Sequence, residues 1–177
     1  MRRELFIHYS FWISFFIFIS LIKNYFRLDA WPFWLGGIFG TILPDLDHII
    51  YFYFISPTDL TSQRFSFLYN RHEFKRMAQL LYETRTERKG LIFHTIFFQV
   101  IFLILTFWML SSSGSLFGRG MVLAFALHLS VDQLIDLTDL KNFNNWMRYL
   151  PMNFDFPKAR LYWLGSTLLL MLFGFFL

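Results

Sequence analysis

The sequence predicts an all-α integral membrane bundle, with about five transmembrane helices and one cytoplasmic amphipathic helix. Three observations carry that prediction. Of the 177 residues, 56% are hydrophobic and only 16% are charged, against roughly 25% charged in a soluble domain. Aromatic residues make up 23% of the chain, including 26 Phe, more apolar surface than a small domain with its high surface-to-volume ratio can enclose. The apolar residues also gather into five runs, each near the length of about 20 residues that crosses a bilayer. This balance excludes a disordered chain and argues against a free cytosolic enzyme. A single domain over residues 1–177 is expected.

The first run, residues 5–22, contains no Asp, Glu, Lys or Arg. Arg2 and Arg3 precede it as in a signal peptide, but the run is long and residues 21–24 offer no small-residue cleavage site. It reads as a retained anchor. The second run, 30–54, contains Pro44, Asp45, Asp47 and His48 after Gly36, Gly37 and Gly40, which permit close helix packing or local bending. The third covers 90–110. The fourth, 116–137, carries His128, Asp132 and Asp136, and a polar turn at 111–115 separates it from the third. The fifth covers 161–177. Trp31, Trp34, Trp108 and Trp163 suit interfacial anchoring.

Between the second and third runs, residues 55–89 are polar. Within them Phe74, Met77, Ala78, Leu81 and Tyr82 recur at helical spacing, with Arg71, Lys75, Arg76 and Arg85 elsewhere around the helix. Two readings fit: a basic helix on an anionic membrane surface, or a helix packed on the spans. His72 reads as a surface residue.

Basic residues are segregated by side. With five crossings, one face receives Arg2, Arg3, Arg64, Arg71, Lys75, Arg76, Arg85, Arg88, Lys89, Lys141, Arg148, Lys158 and Arg160. The other receives only Lys23, Arg27 and Arg119. The positive-inside rule then puts the N-terminus in the cytoplasm and the C-terminus outside the cell membrane, an inner membrane in a two-membrane cell. The net charge of +4 sits between apolar runs rather than along a basic stripe, so a nucleic-acid partner is not expected.

Ionisable residues inside the runs call for an explanation, since an Asp at mid-membrane costs about 2.5–3.5 kcal/mol on the insertion scale. His8, Asp45, Asp47, His48, His94, His128, Asp132 and Asp136 all fall in the cytoplasmic half under this topology. His128, Asp132 and Asp136, at i, i+4 and i+8, form one stripe on a helix. Asp45 and His48 share a face, while Asp47 points elsewhere unless Pro44 breaks the helix and turns both aspartates inward. With no Cys in the chain, a metal would be held by imidazole and carboxylate, a donor set that suits Zn²⁺ first and Mn²⁺, Fe²⁺ or Mg²⁺ next. Catalytic Zn²⁺ needs three protein ligands and a water, so this set suffices for one or two ions. The expected ligands are His8, Asp45, Asp47, His48, His94, His128 and Asp132. Asp132 and Asp136 are the candidate acid–base groups. For Asp136 and Asp139, near a helix end, a solvated carboxylate is the plainer alternative. Arg88 and Lys89 are placed to bind an anionic headgroup.

The string Leu43-Pro44-Asp45-Leu46-Asp47-His48 after a Gly-rich apolar run resembles the membrane-bound metal-dependent hydrolase family of inner-membrane proteins, one branch of which is described as LexA-binding. That family has an early His in its first span, like His8, and a Gly followed closely by Thr-His-Ser before a later span. Gly90 to His94-Thr95 is similar, with stretched spacing and Thr in place of Ser. Glu87-Arg88-Lys89 stands where the family has a His before an Arg-Gly pair. A later His with Asp four residues on matches His128 and Asp132, and Tyr149-Leu150-Pro151 looks like the following Pro segment. The resemblance covers roughly residues 1–155. It implies an all-helical membrane fold and a hydrolase distantly akin to zinc-dependent phospholipases.

The expected function is therefore a membrane-embedded, metal-dependent hydrolase that attacks a phosphoester or lipid-type ester at the cytoplasmic face. The bilayer is its expected partner. Two alternatives stand beside it: a cation or proton transporter, since intramembrane Asp and His also mark ion routes, and a non-catalytic membrane protein with a structural metal site.

Overall fold

Apolar runs must satisfy their own backbone N–H and C=O groups, and a helix does this within one segment. The computed structural model describes residues 2–88, 90–151 and 154–176, and among them there are helices and no strand.

Helix α1 spans Arg2–Lys23. It stops at Asn24, which takes a left-handed φ of 56°, and the Tyr25 N–H closes the last turn on the Ser20 carbonyl at 2.9 Å, as in a Schellman cap. Residues 28–55 then run as one helical stretch: a 3-10 turn, α2 (Trp31–Ile42), a second 3-10 turn at Leu43–Asp45, α3 (Leu46–Ile50) and a widened turn at Tyr51–Ile55. Pro44 tightens the helix without breaking it. Asp45 and Asp47, two residues apart, therefore leave on different sides: Asp47 is fully buried and Asp45 is exposed.

The polar stretch forms two helices where the sequence predicts one, α4 (Leu60–Asn70) and α5 (Phe74–Glu83). They meet at a turn around His72, which is exposed and has a φ of 56°. Leu80 is buried, and Met77 and Leu81 pack with it against Tyr51, Phe52 and Phe65. That contact answers to the packing alternative for this face, although Phe74 and Tyr82 at its ends are exposed.

Helix α6 spans Ile96–Ser112 and α7 spans Leu116–Asp136. Helix α6 starts six residues later than the apolar run predicts, because Thr95 caps it by accepting from the Phe98 N–H and residues 92–94 are held by Asp47. A short helix the periodicity did not reveal, α8 (Leu140–Trp146), is capped by Asp139, which is exposed. Helix α9 spans Phe156–Phe176 and begins earlier than expected, because the Asp155 side chain accepts from the Lys158 N–H.

Among the described residues, three stretches are long and apolar enough to cross a membrane: Glu4–Lys23, Leu28–Ile55 and Phe156–Phe176. Length and hydropathy thus single out three helices where the sequence predicts five. Helix α6 is apolar but has 17 residues. Helix α7, with 21, carries charged residues and is buried on nearly every side. It is the hub of the bundle and packs against α1, α2, α6, α8 and α9. Gly36 and Gly40 of α2 meet the α7 backbone at Phe117 and Met121, and Gly120 of α7 meets the Phe33 carbonyl. Around the hub, large apolar side chains such as Phe6, Ile104, Trp108, Leu161 and Leu168 face outward, an exposure of apolar surface that water does not favour. Inside, Gln99 and Gln133 exchange side-chain hydrogen bonds and Tyr162 donates to Gln99, tying α6, α7 and α9 together.

Candidate metal centre

The side chain at the centre of the polar cluster is Asp132, on the fifth turn of α7 and 6% exposed. Its Oδ1 lies 2.9 Å from Arg85 Nη2 and 3.4 Å from His8 Nε2, and its Oδ2 lies 3.1 Å from His94 Nε2 and 3.2 Å from His128 Nε2. Each histidine comes from a different element. His8 is on α1, His94 is in the link before α6, and His128 is one turn above Asp132 on α7.

The other ring nitrogen of each histidine is already engaged. His8 Nδ1 is 3.0 Å from the Glu4 carbonyl oxygen, His128 Nδ1 is 2.7 Å from the Thr41 carbonyl oxygen, and His94 Nδ1 is 3.0 Å from the Asp47 carboxylate. A carbonyl oxygen only accepts, so Nδ1 of His8 and of His128 carries the proton. In the neutral rings, Nε2 is then an acceptor aimed at another acceptor, the Asp132 carboxylate. A cation shared between them resolves the conflict. This is also the way metal-binding histidines are oriented, with the far nitrogen donating to a carbonyl or carboxylate.

His8, His128 and Asp132 form a group able to hold a metal ion, with ligand atoms within 4.8 Å of one another. Tetrahedral zinc with bonds of about 2.1 Å places neighbouring ligand atoms about 3.4 Å apart, so the measured spacings fit with little movement. His94 reaches the same carboxylate. The centre forms one wall of a cavity of about 510 Å³ between α1, α3, α5 and α7.

The remaining predicted residues lie around this group. Asp45 lines the cavity, with Oδ1 3.7 Å from His128 Nε2. Asp47 does not meet the cluster. Its carboxylate accepts from the backbone N–H groups of Ile92, Phe93 and His94 at 2.9, 2.7 and 3.3 Å and orients His94. His48 stacks on the His94 ring at 5.5 Å, and its buried Nδ1 has no hydrogen-bond partner among the described residues. Asp136 is buried rather than solvated, because α8 covers it: Trp146 Nε1 donates to one oxygen at 2.8 Å and Arg85 Nε to the other at 3.1 Å. Lys89 lies outside the described residues.

Compared with protein-family models, with curated proteins and with solved structures, the chain matches none.

Sequence reasoning missed Arg85. It read this residue as part of a basic surface helix, yet the structure inserts it between Asp132, Asp136 and Glu4, whose Oε2 is 3.6 Å away. Burial works to lower the Arg85 pKa, but those carboxylates outweigh it and the net direction is upward. Glu4, four residues before His8, and Trp146, ten after Asp136, were missed as well; the first was legible as an i, i+4 neighbour and the second was not. Arg88 differs from Arg85. It is 5% exposed, donates to Thr84 Oγ1 and the Leu81 carbonyl at 3.0 and 2.7 Å, and has no carboxylate within ion-pair distance among the described residues. Burial, together with the Arg85 charge, lowers its pKa to about 10.

The Asp47 cradle gives a direct test. Asp47→Asn turns an amide N–H toward buried backbone donors and leaves at least one unsatisfied, so stability should fall by about 1–3 kcal/mol. Thermal unfolding in detergent measures the loss, and faster amide exchange at residues 92–94 localises it.

Proposed function

We propose that this chain is a membrane-embedded, metal-dependent hydrolase of the kind its Pro-Asp-Leu-Asp-His and His-x-x-x-Asp elements resemble. It acts on a phosphoester or lipid-type ester at the cytoplasmic membrane face. The observation that carries the reading is the convergence of three histidine Nε2 atoms on one buried carboxylate at 3.1–3.4 Å, each ring oriented by a partner at its far nitrogen, in the wall of a cavity. Five crossings, by α1, the 28–55 stretch, α6, α7 and α9, keep the basic loops on one side. That topology puts the N-terminus in the cytoplasm of a cell or inner membrane.

In this reading His8, His128 and Asp132 hold the ion and His94 completes the set. The nitrogen-rich donors favour Zn²⁺. A divalent ion held there supplies an activated water near neutral pH. Asp136 is fully occupied by Arg85 and Trp146 and acts by fixing Arg85 against Asp132. Asp45 is the carboxylate left free beside His128 to accept a proton from the attacking water. Arg88, a buried cation without a carboxylate partner among the described residues, offers its charge to an anionic ester oxygen.

The test is metal analysis of the purified protein beside a His8→Ala/His128→Ala variant, each then assayed on phosphoester substrates. Native protein should retain about one ion per chain and hydrolyse the ester; the variant should do neither. Equal, near-zero metal in both would sink the centre. Metal flux into proteoliposomes without hydrolysis would move the assignment to a transporter.

A further inference from the structure

The cavity wall that carries Asp132 is polar, whereas much of its rim is apolar. Of the residues that line the cavity, the exposed ones include Leu5 and Tyr9 on α1, Ile42 at the end of α2 and Ile49 on α3. Leu5 and Tyr9 are four residues apart and share one face of α1. Ile42 and Ile49 are seven apart along the continuous helical stretch and share a face of it. Asp45, three residues after Ile42 and four before Ile49, lies on that second face, itself exposed and next to His128. Both helices belong to stretches long and apolar enough to cross a membrane.

A cleft that drew a soluble substrate from water would gain nothing from an aliphatic rim, because each exposed apolar group there is an unfavourable contact with solvent. The same rim facing acyl chains carries no such cost. At the inner end are the Asp132 cluster and Arg88, whose buried Nε has no hydrogen-bond partner among the described residues. The cavity thus runs from an apolar lip to a cationic, metal-binding interior, the polarity profile of an amphiphile with an anionic head.

Resting on the hydrolase reading above, we infer that the cavity takes its substrate sideways from the bilayer, between α1 and α3, and that the substrate is a lipid with an anionic phosphoester head. The head enters toward Asp132 and Arg88 while its chains remain against Leu5, Tyr9, Ile42 and Ile49. Water adds across the phosphorus–oxygen bond: the hydroxyl goes to phosphorus and the proton to the leaving lipid alcohol, which stays in the membrane.

Two measurements on the full chain in phosphatidylcholine vesicles test this. The protein has no native Cys, so Leu5→Cys, Ile42→Cys and Ile49→Cys can each carry a single nitroxide. A rim that faces lipid makes these labels collide with oxygen rather than with a water-soluble nickel chelate; preferential collision with the chelate overturns the inference, whatever the activity. The second measurement compares zinc-loaded protein on phosphatidic acid in the vesicle and on glycerol 3-phosphate, which presents the same phosphomonoester in water. Phosphatidic acid should be preferred, and Leu5→Trp or Ile49→Trp should lower that preference about tenfold or more by displacing the head from the metal, with bound zinc retained. Leu168→Trp, on the outer face of α9, should leave it unaltered. Turnover of glycerol 3-phosphate with none of phosphatidic acid overturns the inference. Failure on both substrates with lipid-facing labels counts against the hydrolase reading and supports the lateral mouth.

Discussion

Replacing Asp132 with leucine is expected to strip the chain of bound metal and to destabilise it by about 3 kcal/mol, the cost of leaving a buried charge without its partner. Asp132 is the one carboxylate that His8, His94, His128 and Arg85 share, so its loss removes a ligand and frees three rings at once. Outer supporting groups alone are worth about 10–100-fold in metal affinity, and a direct ligand should exceed that. The stability loss falls toward the low end of the usual range because Arg85 remains about a quarter exposed and keeps Asp136 and Glu4. The two effects separate in a triple variant. Asp132→Leu with Arg85→Met and Asp136→Asn removes the buried pair together with the carboxylate that losing Arg85 would leave unpaired, and swapping buried charges for neutral groups is close to neutral. Melting in detergent should therefore recover much of its loss while metal content stays low. Native-like metal content in Asp132→Leu would show that the carboxylate is not a ligand.

The second large effect is expected from a methyl group. Gly36→Ala or Gly120→Ala should each destabilise the bundle by about 3 kcal/mol, the upper end for overpacking. A Cβ at Gly36 would overlap the Phe117 carbonyl oxygen, and one at Gly120 would overlap that of Phe33. These obstacles are backbone, so no rotamer change relieves them, and α2 must move away from α7. Small residues at such crossings are what lets membrane helices approach. The separation should also reach the metal centre, because Thr41, whose carbonyl orients His128, and Asp45 ride on the α2 side while His128 and Asp132 ride on α7. Weaker metal binding should accompany the lower melting temperature. Gly165→Ala is the control: its Cβ would meet nothing within 4 Å, and it should be neutral or stabilising by up to about 1 kcal/mol through helix propensity. An equal loss at Gly165 would mean that glycine replacement, not the α2–α7 crossing, is responsible.

Much of this was legible locally. The spacing of His128, Asp132 and Asp136 put them on one helix stripe because helical geometry depends on sequence separation alone, and the structure brings His8 and His94 to that stripe. Asp139, Asp155 and Thr95 are ordinary capping types, yet hydropathy does not register caps, so the starts of α6 and α9 were misjudged by five or six residues and α8 went unseen. Asp47 looked like a ligand by residue type and instead holds the backbone of residues 92–94. Arg85 looked like a surface charge and instead meets two carboxylates some fifty residues away.

By itself, then, the sequence determined that the chain is helical, that its apolar stretches belong out of water, and which His and Asp side chains are available in them. Those properties are sums over neighbouring residues. Only the tertiary structure decided which nitrogens face Asp132, which carboxylates are consumed by Arg85, Trp146 and backbone donors, and that Asp45 is left free at an apolar rim. Each of those outcomes depends on how closely separate helices approach. That distance is set by the glycine contact between α2 and α7 and the cover of α5 and α8, where residues far apart in the chain must pack as one surface.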